Sequence, residues 1–219
     1  MPTINFKNKK LVIFDFDGLL VNSEDVIKEA WKKTCKYFGI ETPTDFFDHI
    51  NGISKDVTIL KLEKIAGKQI NQEEFFHQRS IFIDESVENK EIHLLPGVRQ
   101  MMEYIFNLGI LMRICTSSSR QWPLRLIKQL KIEKYIKAVL GYEDVENVKP
   151  FPDIYKKTLL EENLAPTEAI IFEDSVPGIN AAESAGVFVV AVNSEEYFRN
   201  KIKKETNPNM IVSSFEDLI

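Results

Sequence analysis

Short runs of apolar residues recur along the chain, and each is followed by polar or turn-forming residues. A run that is apolar at successive positions is typical of a strand buried on both faces, as the strands of parallel sheets are. Each of these runs therefore predicts a strand. They are LVIF at 11–14, ILMRIC at 110–115, AVL at 138–140, AIIF at 169–172 and VFVVAV at 187–192.

Helical patterns lie between most of these runs. In the clearest one, apolar residues recur three or four positions apart between a Pro-Gly pair and a later glycine. That spacing predicts an amphipathic helix with well-marked ends. Strands that alternate with helices predict the α/β class, with a Rossmann-like parallel sheet core covered by helices. The residues of the clearest pattern are Val98, Met101, Met102, Ile105 and Leu108.

One interval breaks this alternation. More than 90 residues separate the first apolar run from the second, far more than a single crossover helix needs. The interval carries helical patterns of its own, so it predicts an inserted domain. We expect a helical cap domain at 22–93, inserted into an α/β core domain formed by 1–21 and 94–219.

Three helical patterns fall within the predicted cap domain. The second of them comprises Val57, Leu60, Lys61 and Ile65, which predicts a helix that packs through this stripe. Aromatic residues are frequent in the same region, and we expect them to form the core of the cap. They are Phe46, Phe47, Phe75, Phe76 and Phe82.

Polar residues that could carry chemistry follow the predicted strands. The first run ends in two aspartates, the second in a threonine and serines, and the fourth in a Glu-Asp pair, while a lysine follows the third. Ligands of open α/β sheets bind beyond the carboxyl ends of the strands, so we expect these groups to share one crevice. They are Asp15, Asp17, Thr116, Ser117, Ser118, Lys149, Glu173 and Asp174.

This set of side chains suits a metal and a phosphoryl group. Carboxylates that repel one another need a cation, and a set of hard oxygen ligands suits Mg²⁺. Lysine and hydroxyl groups are donors that suit phosphoryl oxygens. Taken alone, Asp17-Gly18 is also a common turn and Glu173-Asp174 also suits a helix start. A turn does not explain Asp15, whose desolvation at the end of an apolar strand is costly.

Composition narrows the class of protein. Of 219 residues, 28 are basic and 33 acidic, and the net charge of -5 arises from both signs spread along the chain. No basic stripe indicates a nucleic-acid partner. The two cysteines, Cys35 and Cys115, have no metal-ligand or disulfide spacing, which fits a reducing cytoplasm. No apolar stretch approaches bilayer length, so we expect a cytoplasmic protein with no membrane partner, and a monomer.

Four motifs follow one another along the chain. They are DxDG at 15–18, Thr116 at a strand end, KPxPD at 149–153, and EDSxxGxxAAxxAG at 173–186. In this order and spacing they resemble the haloacid dehalogenase superfamily over essentially the whole chain. The resemblance is to the subgroup with a helical cap inserted after the first strand, which includes β-phosphoglucomutase and phosphoglycolate phosphatase.

The resemblance implies a role for each motif. Asp15 would be the nucleophile that forms an aspartyl-phosphate, and Asp17 the general acid and then the general base. The cofactor would be Mg²⁺, with ligands Asp15, Asp17 through its backbone carbonyl, Asp174, and Glu173 directly or through water. The phosphoryl oxygens would be held by Thr116, the backbone amides of Ser117 and Ser118, and Lys149.

Two further comparisons within the superfamily favour a phosphatase. Dehalogenases lack an aspartate at the position of Asp17 and the phosphonate-cleaving branch has alanine there, so Asp17 favours phosphate-ester chemistry. Sugar phosphomutases of this type carry a histidine that restrains hydrolysis of the phosphoenzyme, and Ile27 stands at that position. We expect a magnesium-dependent phosphomonoesterase for a small phosphorylated metabolite, such as a sugar phosphate or phosphoglycolate. A β-phosphoglucomutase-like phosphomutase, or a non-catalytic protein that binds a phosphate ligand, are the alternatives.

Two cap positions bear on the substrate and the hinge. Lys55 resembles the Schiff-base lysine of the phosphonate-cleaving enzymes, and sugar-phosphate mutases carry arginine there. We predict that Lys55 contacts a phosphate or carboxylate of the substrate. Asn22 stands where relatives usually have aspartate, and we expect its side chain to cap the first cap helix.

Overall fold

The computed structural model describes residues 4–49 and 55–219, without the side chains of 48, 49, 55 and 56. The strands are β1 (Leu11–Phe14), β2 (Leu111–Cys115), β3 (Ala138–Leu140), β4 (Ala169–Glu173), β5 (Phe188–Val192) and β6 (Met210–Val212). The α-helices are α1 (Ser23–Tyr37), α2 (Lys55–Ala66), α3 (Gln72–Glu88), α4 (Val98–Asn107), α5 (Gln121–Gln129), α6 (Asp153–Glu162), α7 (Val176–Ser184) and α8 (Glu196–Glu205). Among the helices of the described ranges, none has the sustained apolar length that a membrane span requires.

The strands form one parallel sheet in the order β3-β2-β1-β4-β5-β6. β1 lies between β2 and β4, and its residue Phe14 stands opposite Ile114 and Phe172 of these neighbours. All four residues of β1 are fully buried. A strand with partners on both edges and burial on both faces is apolar throughout, which explains the continuous run. The predicted α/β fold with a Rossmann-like parallel sheet is confirmed.

The side chains of the central strands pack on both faces of the sheet. On one face, Leu11 and Ile13 belong to a buried cluster that includes residues of α6 and α7, such as Tyr155 and Ile179. A ring cluster contains Phe14, which stacks on Phe172 at 5.3 Å between centroids, and both rings approach Phe215. The next polar residues along the chain therefore emerge from strand ends that packing holds in place.

The sixth strand was not predicted from the sequence. β6 has three residues and pairs with β5, which makes it an edge strand in this sheet. Two of its residues are only partly buried, as in the equally short edge strand β3, which the sequence did predict. Three apolar residues are too few for periodicity to separate a strand from a loop, so similar patterns led to β3 being predicted and β6 being missed.

By its contacts the chain divides into two compact units. The sheet unit comprises residues 1–21 and 94–219, and the helical unit comprises residues 22–93. The helical unit contains α1, α2 and α3 and has its own apolar cluster. Its largest buried side chains are Trp31, Phe47 and Phe75, joined at the edge of the cluster by the partly buried Phe46 and Phe76. Phe82 is also partly buried and makes an edge contact with the ring of Tyr37.

Helix α2 forms where its pattern predicts a helix, but it packs through a different face. Ile59 and Leu62 are fully buried in the cluster of the helical unit. Val57, Leu60 and Ile65, the predicted packing residues, are 43%, 61% and 38% exposed. Apolar residues occur all round this helix, so two stripes fit the helical period. The period alone did not distinguish between them, and our prediction of the buried face was wrong.

Asn22 does not cap α1 as predicted. It makes no side-chain hydrogen bond to the first turn of that helix. Its Oδ1 accepts a hydrogen bond of 2.7 Å from the backbone N–H of His93, and its Nδ2 donates one of 3.1 Å to the backbone oxygen of Glu91. The amide thus joins the beginning and the end of the helical unit. An aspartate has no donor for the second of these bonds, which is a physical reason for asparagine here.

Gly97 and Gly109 provide a matched pair for a stability test. Both have positive φ, at +78° and +71°, where a side chain costs about 1–2 kcal/mol. A Cβ on Gly97 would lie 2.6 Å from the backbone nitrogen of Glu216, whereas one on Gly109 would have no neighbour within 4 Å. We expect Gly109→Ala to lower the free energy of unfolding by about 1 kcal/mol and Gly97→Ala by about 3 kcal/mol or more. Urea denaturation measures both, and equal losses would contradict the close approach at Gly97.

Candidate active site

The carboxyl ends of the central strands hold the predicted site residues. The backbone N–H of Asp15 donates to the oxygen of Phe172 at 3.0 Å, which extends the pairing of β1 with β4 by one residue. The backbone N–H of Thr116 donates to Leu140 at 3.0 Å and extends the pairing of β2 with β3 in the same way. Sheet pairing therefore positions these two polar residues side by side at the carboxyl ends of their strands.

The ammonium group of Lys149 joins two acids. Its Nζ lies 2.5 Å from Oδ1 of Asp15 and 2.6 Å from Oε1 of Glu173, and it donates to the backbone oxygen of Cys115 at 2.8 Å. The side chain of Lys149 is 3% exposed and that of Glu173 is fully buried. Burial alone would lower the pKa of Lys149, but the carboxylates of Asp15 and Glu173 overcome this effect and hold it well above its usual range.

The carboxyl group of Asp15 is electrostatically unfavourable as an anion in this site. Burial above all, together with the nearby carboxylate of Glu173, raises its pKa to about 7 against the opposing effect of Lys149. The ammonium group of Lys149 therefore does not fully offset the cost of burying this carboxylate.

Glu173 is fixed by protein donors on both carboxylate oxygens. Oε1 accepts from Lys149 and, at 2.6 Å, from the hydroxyl of Tyr155. Oε2 accepts from the backbone N–H groups of Asp174 and Ser175 and, at 3.0 Å, from the hydroxyl of Ser175. A Cβ on Gly178 would lie within 2.1 Å of three atoms of this carboxylate, so the glycine is required for its close approach.

Tyr155 is a site residue that the sequence analysis missed. It is fully buried in α6, and its hydroxyl contacts Glu173 while its ring lies 5.2 Å from the Nζ of Lys149. Its position two residues after the KPxPD motif was a signal that could have found it. A tyrosine at a buried helix position is, however, equally expected as a packing residue, so the sequence did not distinguish the two.

Three acids form a group that could hold a metal ion. Oxygens of Asp15, Glu173 and Asp174 lie within 4.8 Å of one another, and all three residues are buried. Among the described residues, Lys149 pairs with Asp15 and Glu173, and carboxylates packed this closely repel one another, a cost that a divalent cation would offset. The donor atoms are all oxygen, as hard divalent cations prefer. The residues therefore fit a divalent metal.

Asp17 has different partners from Asp15. Its Oδ2 accepts from the hydroxyl of Ser118 at 2.9 Å and, more weakly, from the hydroxyl of Thr116 at 3.4 Å. Its Oδ1 accepts from the indole Nε1 of Trp122 at 2.9 Å. The two aspartates of the DxDG motif thus have different partners: Asp15 pairs with Lys149, and Asp17 accepts from hydroxyl and indole donors. Trp122 was also missed by the sequence analysis, since no spacing rule relates it to Asp17, 105 positions earlier.

The structure describes the serines among the remaining predicted site residues, but not the side chain of Lys55. The backbone N–H of Ser118 donates to the hydroxyl of Thr116 at 3.0 Å, so in this structure it is engaged within its own turn. Ser117 is exposed beside it. Lys55 is the first residue of α2, and its side chain lies outside the described residues. Its predicted contact with substrate stays a prediction.

Comparison with known proteins gives a consistent set of matches. Residues 12–192 match the family model described as haloacid dehalogenase-like hydrolase. A phosphorylated carbohydrates phosphatase of Thermotoga maritima is 29% identical over 181 residues, covering 80% of this chain and 81% of that protein. A beta-phosphoglucomutase of Bacillus subtilis is 26% identical over 189 residues, covering 84% and 83%. The crystal structure of a HAD hydrolase, family IA, variant 3, from Entamoeba histolytica has a TM-score of 0.81 at 25% identity, covering 96% of this chain and 95% of that one.

The raised pKa of Asp15 predicts a pH dependence of stability in metal-free protein. The folded state holds a proton up to about pH 7, whereas the unfolded chain releases it near the ordinary value of 3.8. The folded state therefore binds more protons between these values, and the free energy of unfolding contributed by Asp15 falls as the pH rises through this window. Urea denaturation with a chelator at about pH 5 and about pH 8 should show a smaller fall for Asp15→Asn than for the wild type. An equal fall in both proteins would contradict the shifted pKa.

Proposed function

This chain belongs to the haloacid dehalogenase-like hydrolase family, and we propose that it is a magnesium-dependent phosphatase of small phosphorylated metabolites that acts through an aspartyl-phosphate on Asp15. Its class as a phosphatase follows from the family and the phosphatases among its relatives. The metal, the intermediate and the substrate class are our proposals. The observation that carries them is the buried arrangement of Asp15, Lys149 and Glu173 beside Asp174.

The metal proposal rests on the mutual repulsion of the clustered carboxylates and on the oxygen donors of the acid group. Asp15 and Asp174 would bind Mg²⁺ through their side chains, and Asp17 through its backbone carbonyl. Glu173 already accepts hydrogen bonds on both oxygens, so it would contribute through water and hold Lys149 in place. A bound Mg²⁺ would neutralise charge on the phosphoryl oxygens and on the carboxylate of Asp15.

The proposed reaction has two displacements at phosphorus. A carboxylate oxygen of Asp15 attacks, the bond from phosphorus to the ester oxygen breaks, and Asp17 gives its proton to the leaving alcohol. Asp17 then removes a proton from water, which attacks the acyl phosphate and releases inorganic phosphate and the Asp15 carboxylate. Thr116, Lys149 and the amides of the turn after β2 would hold the phosphoryl oxygens throughout.

A residue of the helical unit favours hydrolysis over the mutase reaction, in which the phosphoryl group moves from one position of a sugar to another. A mutase must protect its phosphoenzyme from water, and the residue that would serve this role is replaced by Ile27, an apolar residue packed against the core of the helical unit. We propose that this unit, including Lys55, discriminates between leaving alcohols. The phosphomutase alternative retains the support of a relative named beta-phosphoglucomutase.

Replacement of the nucleophile tests the covalent step. We expect Asp15→Asn to lower kcat for p-nitrophenyl phosphate at least about 10³-fold, because the amide cannot form the acyl phosphate. The control Asp25→Asn changes an exposed carboxylate in the first turn of α1 and should leave kcat unchanged. Wild-type activity should be lost with a chelator and restored by Mg²⁺. Retained turnover in Asp15→Asn would reject the nucleophile, and full activity with the chelator would reject the metal.

A product analysis separates the phosphatase from the phosphomutase. With β-glucose 1-phosphate and Mg²⁺, we expect inorganic phosphate and glucose to accumulate together. Enzymatic measurement of glucose 6-phosphate and colorimetric measurement of phosphate follow both routes in the same sample. Efficient formation of glucose 6-phosphate with little free phosphate would identify a mutase instead. Absence of both products with this ester and with a panel of phosphate esters would favour the non-catalytic alternative.

A further inference from the structure

The indole of Trp122 makes a directed contact with the acid of the proposed reaction. Its Nε1 donates to Oδ1 of Asp17 at 2.9 Å, and the ring is partly buried. Trp122 is the second residue of α5, and its backbone N–H donates to the oxygen of Ser119 at 3.0 Å. The next residue, Pro123, is buried. The start of the helix thus holds the backbone from which the indole reaches Asp17.

The two oxygens of Asp17 have chemically different partners. The indole N–H is a donor and has no lone pair to accept a proton, so a proton on Oδ1 would find no acceptor in it and would weaken the bond that Oδ1 accepts. The hydroxyls near Oδ2, those of Ser118 and Thr116, can either donate or accept. A proton carried by Asp17 is therefore accommodated on Oδ2, where Ser118 can turn to accept it. The arrangement assigns one oxygen to orientation and the other to proton transfer.

We propose that Trp122 is a positioning residue, which holds Oδ1 of Asp17 so that Oδ2 delivers the proton to the leaving alcohol. This inference rests on the proposed role of Asp17 as general acid. A tryptophan suits the task because its side chain has two rotatable bonds and a rigid ring, so its donor loses little freedom when it binds. A serine or threonine hydroxyl rotates about its own C–O bond and fixes direction less well.

Leaving groups of different basicity test the proposal. The phenolate of p-nitrophenyl phosphate leaves without much protonation, whereas that of phenyl phosphate needs a general acid. We expect Trp122→Phe, which keeps a ring and removes the N–H, to lower kcat/KM for phenyl phosphate about tenfold more than for p-nitrophenyl phosphate. The rate at which the phenol is released gives kcat/KM. This parameter reports the first displacement, in which Asp15 attacks phosphorus and the phenol leaves. A structural defect would lower both values by the same factor.

Two variants serve as controls for this experiment. Trp31→Phe makes the same change at the other tryptophan, in the core of the helical unit, and should leave the ratio of the two kcat/KM values unchanged. Asp17→Asn should lower the ratio of kcat/KM for phenyl phosphate to kcat/KM for p-nitrophenyl phosphate at least as much as Trp122→Phe does. If Asp17→Asn lowers the ratio and Trp122→Phe does not, the positioning role is overturned while the general acid stands. If Asp17→Asn leaves the ratio unchanged, the general acid and the positioning role are both overturned.

A measurement independent of activity tests the contact itself. The two tryptophans of the chain give two indole N–H resonances in ¹⁵N-labelled protein, and Trp122→Phe assigns them by removing one. Loss of a carboxylate acceptor shifts the resonance of its donor, so Asp17→Ala should move the Trp122 signal and leave the Trp31 signal in place. An unmoved Trp122 signal would show that the hydrogen bond to Asp17 does not form, and would overturn the proposal.

Discussion

The buried ammonium group of Lys149 lies between the carboxylates of Asp15 and Glu173, and the sheet unit is arranged to hold it there. An uncompensated charge at this depth is costly, so each ion needs its partners in place. Glu173 is held by Tyr155, by the turn after β4 and by the space that Gly178 leaves. Asp174 joins these two acids in a group of oxygen donors that fits a divalent cation.

The two aspartates of the DxDG motif owe their different roles in our proposal to different surroundings. Asp15 is buried with Lys149, and its carboxyl group has a pKa raised to about 7 by burial. Asp17 faces hydroxyl and indole donors supplied by the connection from β2 and the start of α5. Two residues apart in the chain, they interact with different elements of the fold. A nucleophile that needs a cation and an acid that needs orientation are thus supported separately.

One side-chain amide joins the two ends of the helical unit. Asn22 accepts from the backbone at His93 and donates to the backbone at Glu91, which ties the entry and exit of the helical unit together. Helix capping needs only an acceptor, so a prediction based on capping did not separate asparagine from aspartate. The structure does separate them, because one of the two bonds requires a donor.

The sequence by itself determined the class of fold, the strands β1 to β5 and the family. Continuous apolar runs such as LVIF at 11–14 follow from burial on both faces, and motifs at successive strand ends follow from the shared carboxyl edge. Only the tertiary structure decided which face of α2 packs, that residues 210–212 form an edge strand, and which groups accompany the two aspartates. The physical reason is the separation along the chain of the residues that interact. Periodicity and motif spacing describe neighbours along the chain, whereas Trp122 and Tyr155 meet their partners across the fold through hydrogen bonds that no local pattern encodes.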